Sequence, residues 1–519
     1  MSTYVDEHTP RPAPRRLLAP PSRLAGGSWE SVALMLAIAA AAFGIRLATM
    51  VRNHGLFGLG NYDDGVYYGA AVGLVNGRMP YRDFLLLHPP GIVLALAPFA
   101  ALGELVGDAR GFALARLAWM LLGAVNAVLV YRILRPATIA GAVIGGFGYA
   151  VFTPAVYGEH TTLLEAPATT ALLGAVLLLN GTAGRRRPAE AGPLIAAGLL
   201  LGLTVGFKVW GVVGVLLVLG WLLSTRRLKA AGWVAFGTAV AGAAVYLPFF
   251  AQAPGAMWRY TVMDQLHRSR FRSVSLASRA IQMMGLGRFG ARHPSSVLLT
   301  GALIVCLAAA AVAWRNEHAR LMIVLCLGLS GFLLLTPTWF GHYAALTAAP
   351  LMVVIGAAGG ELLRSLERSR GTTAVAVLLF ASLMIFYALP TVNRSWARGF
   401  PASALTASVA AVPGCITADD VTGLIELNVL SRNLRRGCPL SVDLGGANYD
   451  VQPTTAGADR PRRSNPAWQR VALRYLGSGT EVLLVRAGLH SLSRRTVAIV
   501  GGWRLLERAR HVLLRAPQH

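Results

Sequence analysis

The chain has 519 residues, of which 55% are hydrophobic and 14% are charged. Soluble globular proteins carry about 25% charged residues, so this composition excludes an ordinary soluble protein and predicts that most of the chain lies in a membrane. The formal net charge of +25 does not indicate nucleic-acid binding, because many of the arginines stand in short segments between apolar stretches. That distribution is typical of the cytoplasmic loops of membrane proteins.

The N-terminal part predicts a cytoplasmic tail, one membrane span and a long outer loop. Residues 1–28 are polar and rich in proline and arginine, which favours a disordered tail. Ser31–Met50 is the first apolar segment, and the basic tail before it places the N-terminus in the cytoplasm. The loop 51–108 is then extracytoplasmic. Its apolar segment Gly91–Val106 is about 24 Å long as a helix, which predicts a re-entrant or surface-lying helix.

Apolar segments with basic ends continue the transmembrane module, which we assign to residues 29–391. Threading them with the arginine-rich loops inside gives about 11 spans and leaves the loop 252–293 and the C-terminus outside. Two segments form a hairpin too short for two full crossings, so its turn at Lys208 is expected below the outer surface, in a protein-lined cavity. The segments after the first loop are Ala109–Tyr131, Ala137–Ala155, Thr161–Asn180, Leu194–Phe207, Val209–Leu223, Ala231–Phe250, Pro294–Trp314, Leu321–Thr338, Ala344–Leu363 and Thr373–Leu389.

Residues 392–519 are more polar and predict a small extracytoplasmic α/β domain. Val421–Arg435 has the pattern of an amphipathic helix. Cys415 and Cys438 favour a disulfide, because an extracytoplasmic domain lies in an oxidising compartment. The predicted strands are Gly414–Ala418, Leu440–Leu444, Val482–Arg486 and Thr496–Val500.

Under this topology, the polar residues that stand in or near apolar segments fall almost entirely on the extracytoplasmic side. Ionisable groups near membrane depth are costly, and this favours a functional role for them. The sequence therefore predicts a site on this side of the membrane. The residues are Asp63, Asp64, His88, Glu159, His160, Glu165, Lys208, the segment Asp264–Arg272, His342 and Tyr343.

Asp63 and Asp64 directly follow the first span, and a helix there would place Tyr67 and Tyr68 one turn further on. Adjacent carboxylates point about 100° apart on a helix, so one of the two is expected to face a substrate. Two interpretations remain open. The pair either opens a surface helix as capping residues, or supplies a catalytic carboxylate that accepts the proton of an acceptor hydroxyl.

Motifs in the first outer loop resemble the GT-C glycosyltransferases, in the group that includes protein O-mannosyltransferases, aminoarabinose transferases and actinobacterial cell-envelope enzymes. The motifs are Tyr62-Asp-Asp-Gly-Val-Tyr-Tyr, Gly77-Arg-Met-Pro-Tyr-Arg-Asp-Phe and His88-Pro-Pro-Gly. The resemblance extends over residues 31–390. Weaker similarities lie in Glu159–Glu165, in the hairpin around Lys208 and in Trp339-Phe-Gly-His-Tyr.

The resemblance implies inverting transfer of a sugar from a polyprenyl-monophosphate donor at the extracytoplasmic face of the cytoplasmic membrane. It implies that Asp63 or Asp64 is the base and that Lys208 holds the donor phosphate. Mannose and arabinofuranose are the expected sugars, and the acceptor is an envelope glycan, a lipid or a protein. Asp-Asp stands here where Asp-Glu is frequent, and His88 where a lysine is frequent, so the base and the sugar remain open.

Several other roles remain open as well. Lys208 is either a phosphate ligand or a side chain that reaches the membrane surface. Arg268, Arg270 and Arg272 in the second outer loop either assist at the phosphate or bind lipid headgroups. Glu165 orients the acceptor, binds a divalent metal ion or forms an ion pair within the helix bundle.

His342 is a further candidate ligand of the donor phosphate. This histidine, like the others in the site, is equally open to a packing role. The candidates for substrate binding are Tyr67, Tyr68, His88, Glu159, His160, Glu165 and Tyr343.

Two functions of other classes remain open. A transporter or flippase of lipid-linked sugars would also carry charges within the membrane, but it needs polar groups along a path to both faces, and the cytoplasmic halves of the segments offer few. A non-catalytic scaffold of this type would bind glycans or partners and would tolerate the loss of Asp63 and Asp64. No nucleic-acid partner is expected.

Overall fold

The computed structural model describes residues 28–182, 190–266, 274–287, 296–366, 370–452, 460–485 and 491–518. Long helices make up most of the chain up to Asn393, and the C-terminal region from there on holds a four-stranded sheet with short helices. The α-helices are α1 (Ser28–Val51), α2 (Tyr62–Val75), α3 (Gly91–Val106), α4 (Asp108–Leu134), α5 (Ile139–Val151), α6 (Thr153–Glu159), α7 (Glu165–Thr182), α8 (Ala191–Phe207), α9 (Gly211–Ser224), α10 (Leu228–Phe250), α11 (Pro254–Trp258), α12 (Asp264–Leu266), α13 (Leu276–Met283), α14 (Ser296–Ala313), α15 (Glu317–Leu335), α16 (Ala348–Leu366), α17 (Arg370–Asn393), α18 (Ala402–Ala410), α19 (Val421–Glu426), α20 (Leu430–Arg435), α21 (Ala447–Asp450), α22 (Pro466–Leu476) and α23 (Arg494–Gly502). The strands are β1 (Gly58–Leu59), β2 (Arg398–Gly399), β3 (Ile416–Ala418), β4 (Glu481–Leu484), β5 (Arg504–Ala509) and β6 (Val512–Ala516).

The helical part has the character of a polytopic membrane protein. Within the described ranges, 6 helices are long and apolar enough to cross a membrane, and the pair α5 and α6, bent by 57° at its break, would make a seventh. Shorter apolar helices accompany them, among them α3, α8 and α9. The helical membrane fold predicted from the sequence is therefore confirmed, while the number of about 11 spans stays a prediction.

Helices α8 and α9 form the hairpin predicted around Lys208. The lysine ends α8 with an extended backbone, at φ −144° and ψ 124°. Helix α8 packs closely on α10, because a Cβ atom on Gly198 would lie 2.2 Å from the carbonyl oxygen of Val234. Small residues allow helices in a membrane to approach in this way, and this contact helps to hold the hairpin in position.

Helix α2 packs against the C-terminal region. Asn61 caps the helix, and its side chain accepts a hydrogen bond from the backbone N–H of Asp63 at 3.1 Å. Gly65 of α2 faces α19 so closely that a Cβ atom on it would lie 2.0 Å from the hydroxyl oxygen of Thr422. The N-terminus of α2 is therefore held between the helix bundle and the C-terminal region.

The C-terminal sheet has the strand order β3-β4-β6-β5. Strands β3 and β4 are parallel, and the other neighbouring pairs are antiparallel. This agrees with the predicted α/β class. The predicted strands Gly414–Ala418 and Val482–Arg486 correspond to β3 and β4, although Arg486 lies outside the described residues. Strands β5 and β6 were not predicted.

Two further strand predictions were wrong. Thr496–Val500 lies in α23, where the Ser493 side chain accepts a hydrogen bond from the backbone N–H of Thr496 at 3.2 Å and caps the helix. Leu440–Leu444 is irregular and lies beside the sheet. The Leu444 carbonyl accepts a hydrogen bond from the indole N–H of Trp468 at 2.8 Å.

The single helix predicted over Val421–Arg435 is divided into α19 and α20. Asn428 separates the two with a φ of 56°, a left-handed conformation that interrupts a right-handed helix. Its side-chain oxygen accepts a hydrogen bond from the backbone N–H of Ala109 at 3.0 Å, so the break joins the C-terminal region to α4.

A disulfide joins Cys415 and Cys438. It connects the residue before β3 to the chain just after α20, across 23 positions of sequence. Cross-linking a loop of this length restricts the unfolded chain and so stabilises the folded C-terminal region.

Candidate functional site

A cavity of about 990 Å³ lies between the helix bundle and the C-terminal region. The bundle contributes side chains from the start of α2, from the segment before α3, from the end of α6 and from the stretch before α16. The predicted site residues among the lining are Asp63, His88, His160, His342 and Tyr343. The tertiary fold therefore brings together five residues from four segments that stand far apart in the sequence.

Asp63 and Asp64 have different environments although they are neighbours in α2. Asp63 is half-buried and lines the cavity. Asp64 is fully buried, with 0% of its surface exposed. The rotation of about 100° per residue in a helix separates the two side chains, and the cavity receives Asp63.

Asp64 belongs to a buried ionic cluster with Arg116 of α4. The Nη2 and Nε atoms of Arg116 lie 2.9 and 3.3 Å from Oδ2 of Asp64, and the Thr161 hydroxyl donates a hydrogen bond to the same oxygen. Arg116 also donates to the backbone carbonyls of Leu56 and Gly58, both at 2.9 Å. Asp64 thus holds α2 to α4 and to the first loop.

The C-terminal region adds Glu426 to this cluster. Its Oε1 atom lies 3.3 Å from Nη1 of Arg116, and 4% of the residue is exposed. Burial raises the pKa of Glu426 from 4.5 to about 8; Arg116 opposes this rise and Asp64 adds to it. The folded chain therefore keeps a proton on Glu426 over a pH range in which an unfolded chain has lost it.

The contribution of Glu426 to stability is expected to fall as the pH rises from about 4.5 to about 8, because the folded state binds more protons than the unfolded state in this range. Glu426→Gln removes the titration. The melting temperature of this variant minus that of the wild type, both measured in detergent, should therefore increase from pH 5 to pH 8. For Glu317→Gln, at a side chain that is 74% exposed, the melting temperature should change with pH in the same way as that of the wild type. Parallel curves for Glu426→Gln as well would contradict the assigned pKa.

Glu159 is enclosed within the helix bundle and is not part of the cavity lining. Its Oε2 atom accepts hydrogen bonds from Nη2 and Nε of Arg46 at 2.5 and 3.1 Å. Its Oε1 atom accepts from the Asn126 amide at 2.7 Å and from the Tyr149 hydroxyl at 2.6 Å. These contacts link α1, α4, α5 and α6, so the carboxylate stabilises the bundle. The substrate-binding role predicted for it has no geometric support.

His160 lines the cavity directly after α6. Its Nδ1 atom lies 2.8 Å from the carbonyl oxygen of Tyr157, and its ring stacks on the Tyr157 ring with centroids 5.5 Å apart. The ring of Trp396 lies 5.0 Å from it, edge-on. These three aromatic side chains form a continuous part of the wall.

Lys208 forms an ion pair with Glu165 beside the cavity. Its Nζ atom donates to Oε1 of Glu165 at 2.5 Å and lies over the rings of Tyr343 and Trp210, 4.4 and 4.9 Å from their centroids. His342 shares the same carboxylate, with its Nε2 atom 4.0 Å from Oε1. The lysine is buried and, among the described residues, is not part of the cavity lining, to which His342 and Tyr343 belong. The contact with Lys208 thus supports the interpretation of Glu165 as part of an ion pair within the bundle.

The two tyrosines that follow the aspartates also differ. Tyr67 is buried and packs edge-on against His88, with ring centroids 5.3 Å apart. The Tyr68 hydroxyl donates to the carbonyl of Phe99 at 3.2 Å, and its ring packs on Phe112. Tyr67 therefore supports a lining residue, while Tyr68 joins α2 to α3 and α4.

The predicted arginines Arg268, Arg270 and Arg272 lie outside the described residues. Within the described part of the chain, no group of three or more histidine, cysteine, aspartate or glutamate side chains is arranged to hold a metal ion. The metal-binding interpretation of Glu165 therefore gains no support from its neighbours.

Sequence reasoning missed the part of the lining that comes from the C-terminal region. Asp419, Asp443, Tyr449 and Arg462 all line the cavity. Asp443 lies within Leu440–Leu444, which was predicted as a strand. The Gly445-Gly446 pair directly after it was the available signal for a turn next to a site.

Part of the sequence matches one family model, and the fold is similar to that of solved structures. The sequence model of glycosyltransferase family 87 matches residues 86–337. The structure of ArnT from Cupriavidus metallidurans bound to undecaprenyl phosphate is similar with a TM-score of 0.61 and 15% identity, over 94% of this chain and 98% of that chain.

A second similar structure comes from an archaeal enzyme. The oligosaccharyltransferase AglB from Archaeoglobus fulgidus, in complex with an inhibitory peptide and a dolichol-phosphate, matches with a TM-score of 0.55 and 15% identity, over 88% of this chain and 69% of that chain. The sequence matches none of the curated proteins searched. At these identities the structural likeness establishes the fold.

Proposed function

We propose that this chain is a membrane glycosyltransferase of the GT-C type. It transfers a sugar from a polyprenyl-monophosphate donor to a hydroxyl acceptor, with inversion at the anomeric carbon. The observation that carries the proposal is the cavity beside α2, which Asp63 lines while Asp64 is engaged in a buried ion pair. The similar proteins bound to undecaprenyl phosphate and dolichol-phosphate support the kind of donor.

In the proposed reaction Asp63 is the general base. It accepts the proton of the acceptor hydroxyl as that oxygen forms a bond to the anomeric carbon. The bond between the anomeric carbon and the phosphate oxygen breaks, and its electron pair leaves with the polyprenyl phosphate. The products are the glycosylated acceptor, the lipid phosphate and a proton on Asp63, which passes to solvent.

The donor phosphate is proposed to lie near His342. This side chain lines the cavity, and its Nε2 atom lies 4.0 Å from Oε1 of Glu165. Lys208 shares that carboxylate and adds positive charge behind the wall. Cationic groups stabilise the negative charge that develops on a leaving phosphate. Arg268 and Arg270 are proposed to assist from the second outer loop.

Mannose and arabinofuranose are the proposed sugars, and an envelope glycan, lipid or protein is the proposed acceptor. The proposed location is the cytoplasmic membrane, with the N-terminus inside and the cavity and residues 392–519 outside. The donor enters the cavity sideways from the lipid. These assignments follow from the sequence resemblance and from the positive charge of the predicted inner loops.

His342→Gln is expected to raise the KM for the donor roughly tenfold or more, because hydrogen bonds to charged groups contribute about 1.5–3 kcal/mol. The KM for the acceptor should stay unchanged. His318→Gln is the matched control, since His318 lies at the start of α15 and does not line the cavity. A donor KM that is equal in both variants would argue against a phosphate near His342.

The function itself is tested by transfer of labelled sugar from synthetic polyprenyl-phosphate-mannose and polyprenyl-phosphate-arabinose, with purified protein and membrane-extract acceptors. Transfer from one of the two donors supports the proposal and names the sugar. Binding of the donor without turnover, unaffected by replacement of Asp63, would favour a scaffold or a transporter instead.

A further inference from the structure

A second cavity, of about 430 Å³, lies beside the first and has no part in the reaction proposed above. Gly60 and Trp396 line both cavities, so the two are neighbours. The rest of the second lining comes from β1, from the segment that leads into β2, from the residue after β4 and from the turn between β5 and β6. The cavity therefore lies where the first outer loop meets the C-terminal region.

This second cavity lies at the ends of two helices of the bundle. Helix α1 is long and apolar enough to cross a membrane, and Val51 at its end is 49% exposed, as expected of a side chain that contacts lipid. Arg52 donates from Nη2 to Oδ1 of Asn393 at 3.2 Å, so α1 and α17 end side by side. A Cβ atom built on Gly399 would lie 3.0 Å from the carbonyl oxygen of Asn53. Because Gly399 directly follows a lining residue, the cavity lies just beyond the apolar part of α1, at the level of lipid headgroups.

Basic side chains supply the charge of the lining. Arg398 and His511 line the cavity, and of the described residues that line it none is acidic. The Arg398 side chain is exposed, and no hydrogen bond or ion pair joins its guanidinium to another described residue. A second guanidinium is close by, because Nη1 of Arg510 would lie 4.0 Å from a Cβ atom on Gly399. The cavity therefore offers a positively charged environment with N–H donors available at Arg398.

The chemistry of the lining suits an amphipathic anion. A guanidinium binds a phosphate group through two parallel hydrogen bonds, and cationic side chains near a membrane surface attract anionic lipids. Apart from Ser395, the other lining residues are glycine or have apolar side chains, among them Leu59 and Val485. A ligand with one charged group and an apolar remainder fits this combination better than a free inorganic ion.

We propose that the second cavity binds the headgroup of an anionic phospholipid of the membrane, with Arg398 as the ligand of its phosphate and His511 beside it. This lipid is distinct from the sugar donor, whose phosphate is placed near His342 in the first cavity. By filling the space between the end of α1 and the turn of β5 and β6, the lipid stabilises the junction between the bundle and the C-terminal region.

Stabilisation by added lipid tests the proposal, because a ligand that binds only the folded state raises the melting temperature. The protein in detergent is titrated with phosphatidylglycerol, with zwitterionic phosphatidylcholine or with inorganic phosphate. Phosphatidylglycerol should raise the melting temperature of the wild type more than the other two do. Arg398→Gln should weaken the apparent affinity for phosphatidylglycerol roughly tenfold. Arg508→Gln is the matched control, at an exposed arginine of β5 outside the cavity lining, and should respond as the wild type does.

His511→Gln is a second variant, which keeps the proposal testable if Arg398→Gln does not fold. It should weaken the response to phosphatidylglycerol in the same direction. Equal responses of the wild type and both cavity variants would overturn the proposal, and so would equal stabilisation by the two lipids. Inorganic phosphate that stabilises the wild type as well as phosphatidylglycerol does would assign the cavity to a soluble phosphate compound and rule out the lipid. The measurement needs no sugar donor, so its outcome is independent of the proposed reaction.

Discussion

Asp63→Asn is expected to reduce sugar transfer by about 10²–10⁴-fold, the range that a positioned general base contributes. The fold should persist, because the Asp63 contribution to the helix cap is its backbone N–H, which the substitution keeps. The measurement is transfer of labelled sugar by purified protein, with the melting temperature in detergent recorded beside it. Asp63→Asn should melt close to the wild type.

Asp64→Asn is the matched control, since the same chemical change is made one residue further along the same helix. Here the expected loss is one of stability, because Arg116 then stays buried with the charge of Asp64 removed. Activity per folded molecule should fall less than in Asp63→Asn. If Asp64→Asn instead abolished transfer with an unchanged melting temperature, Asp64 would be the base and the assignment made here would be wrong.

Arg116→Met is expected to destabilise the protein by about 3–5 kcal/mol, as is typical when one partner of a buried ion pair is removed. The methionine would leave Asp64 buried without its cation, and the carbonyl oxygens of Leu56 and Gly58 would lose the hydrogen bonds that Arg116 donates. Thermal or denaturant unfolding in detergent measures the loss. Arg110→Met is the matched control, because Arg110 is an exposed arginine on the same helix.

The double variant Arg116→Met/Asp64→Asn tests whether the cluster acts as a unit. Its loss of stability should be smaller than the sum of the two single losses, because the second change removes a charge that the first left unpaired. Additive losses would mean that the two side chains stabilise the fold independently, which would contradict the ion pair.

The sequence by itself predicted the helical membrane fold, because the bilayer requires backbone groups to be satisfied within each span and so ties structure to local apolar length. It predicted α3 over Gly91–Val106 with the observed bounds. Asp63, His88, His160 and His342, which it singled out as candidate site residues on one side of the membrane, line one cavity, and their roles in a site stay predictions. In these cases the decisive information was local, in hydropathy, basic loops and short motifs.

The C-terminal region shows where local information was insufficient. Thr496–Val500 has β-branched residues that favour a strand, yet a serine cap makes it part of α23. The sheet instead recruits β5 and β6, whose pairing depends on neighbours in space. Strand propensity reflects packing against such neighbours more than the backbone itself, so it is a weaker guide than the hydropathy of a membrane span.

The sequence by itself determined the membrane fold and the presence of an acidic pair at the start of α2. Only the tertiary structure distinguished Asp63 from Asp64, because Arg116 and Glu426 come from distant parts of the chain and enclose one carboxylate, while the other faces the cavity. Likewise Lys208 acquires Glu165 as its partner, and Arg462 reaches the site, through packing alone. Burial and charge pairing are properties of neighbours in space, and the linear order of residues does not specify them.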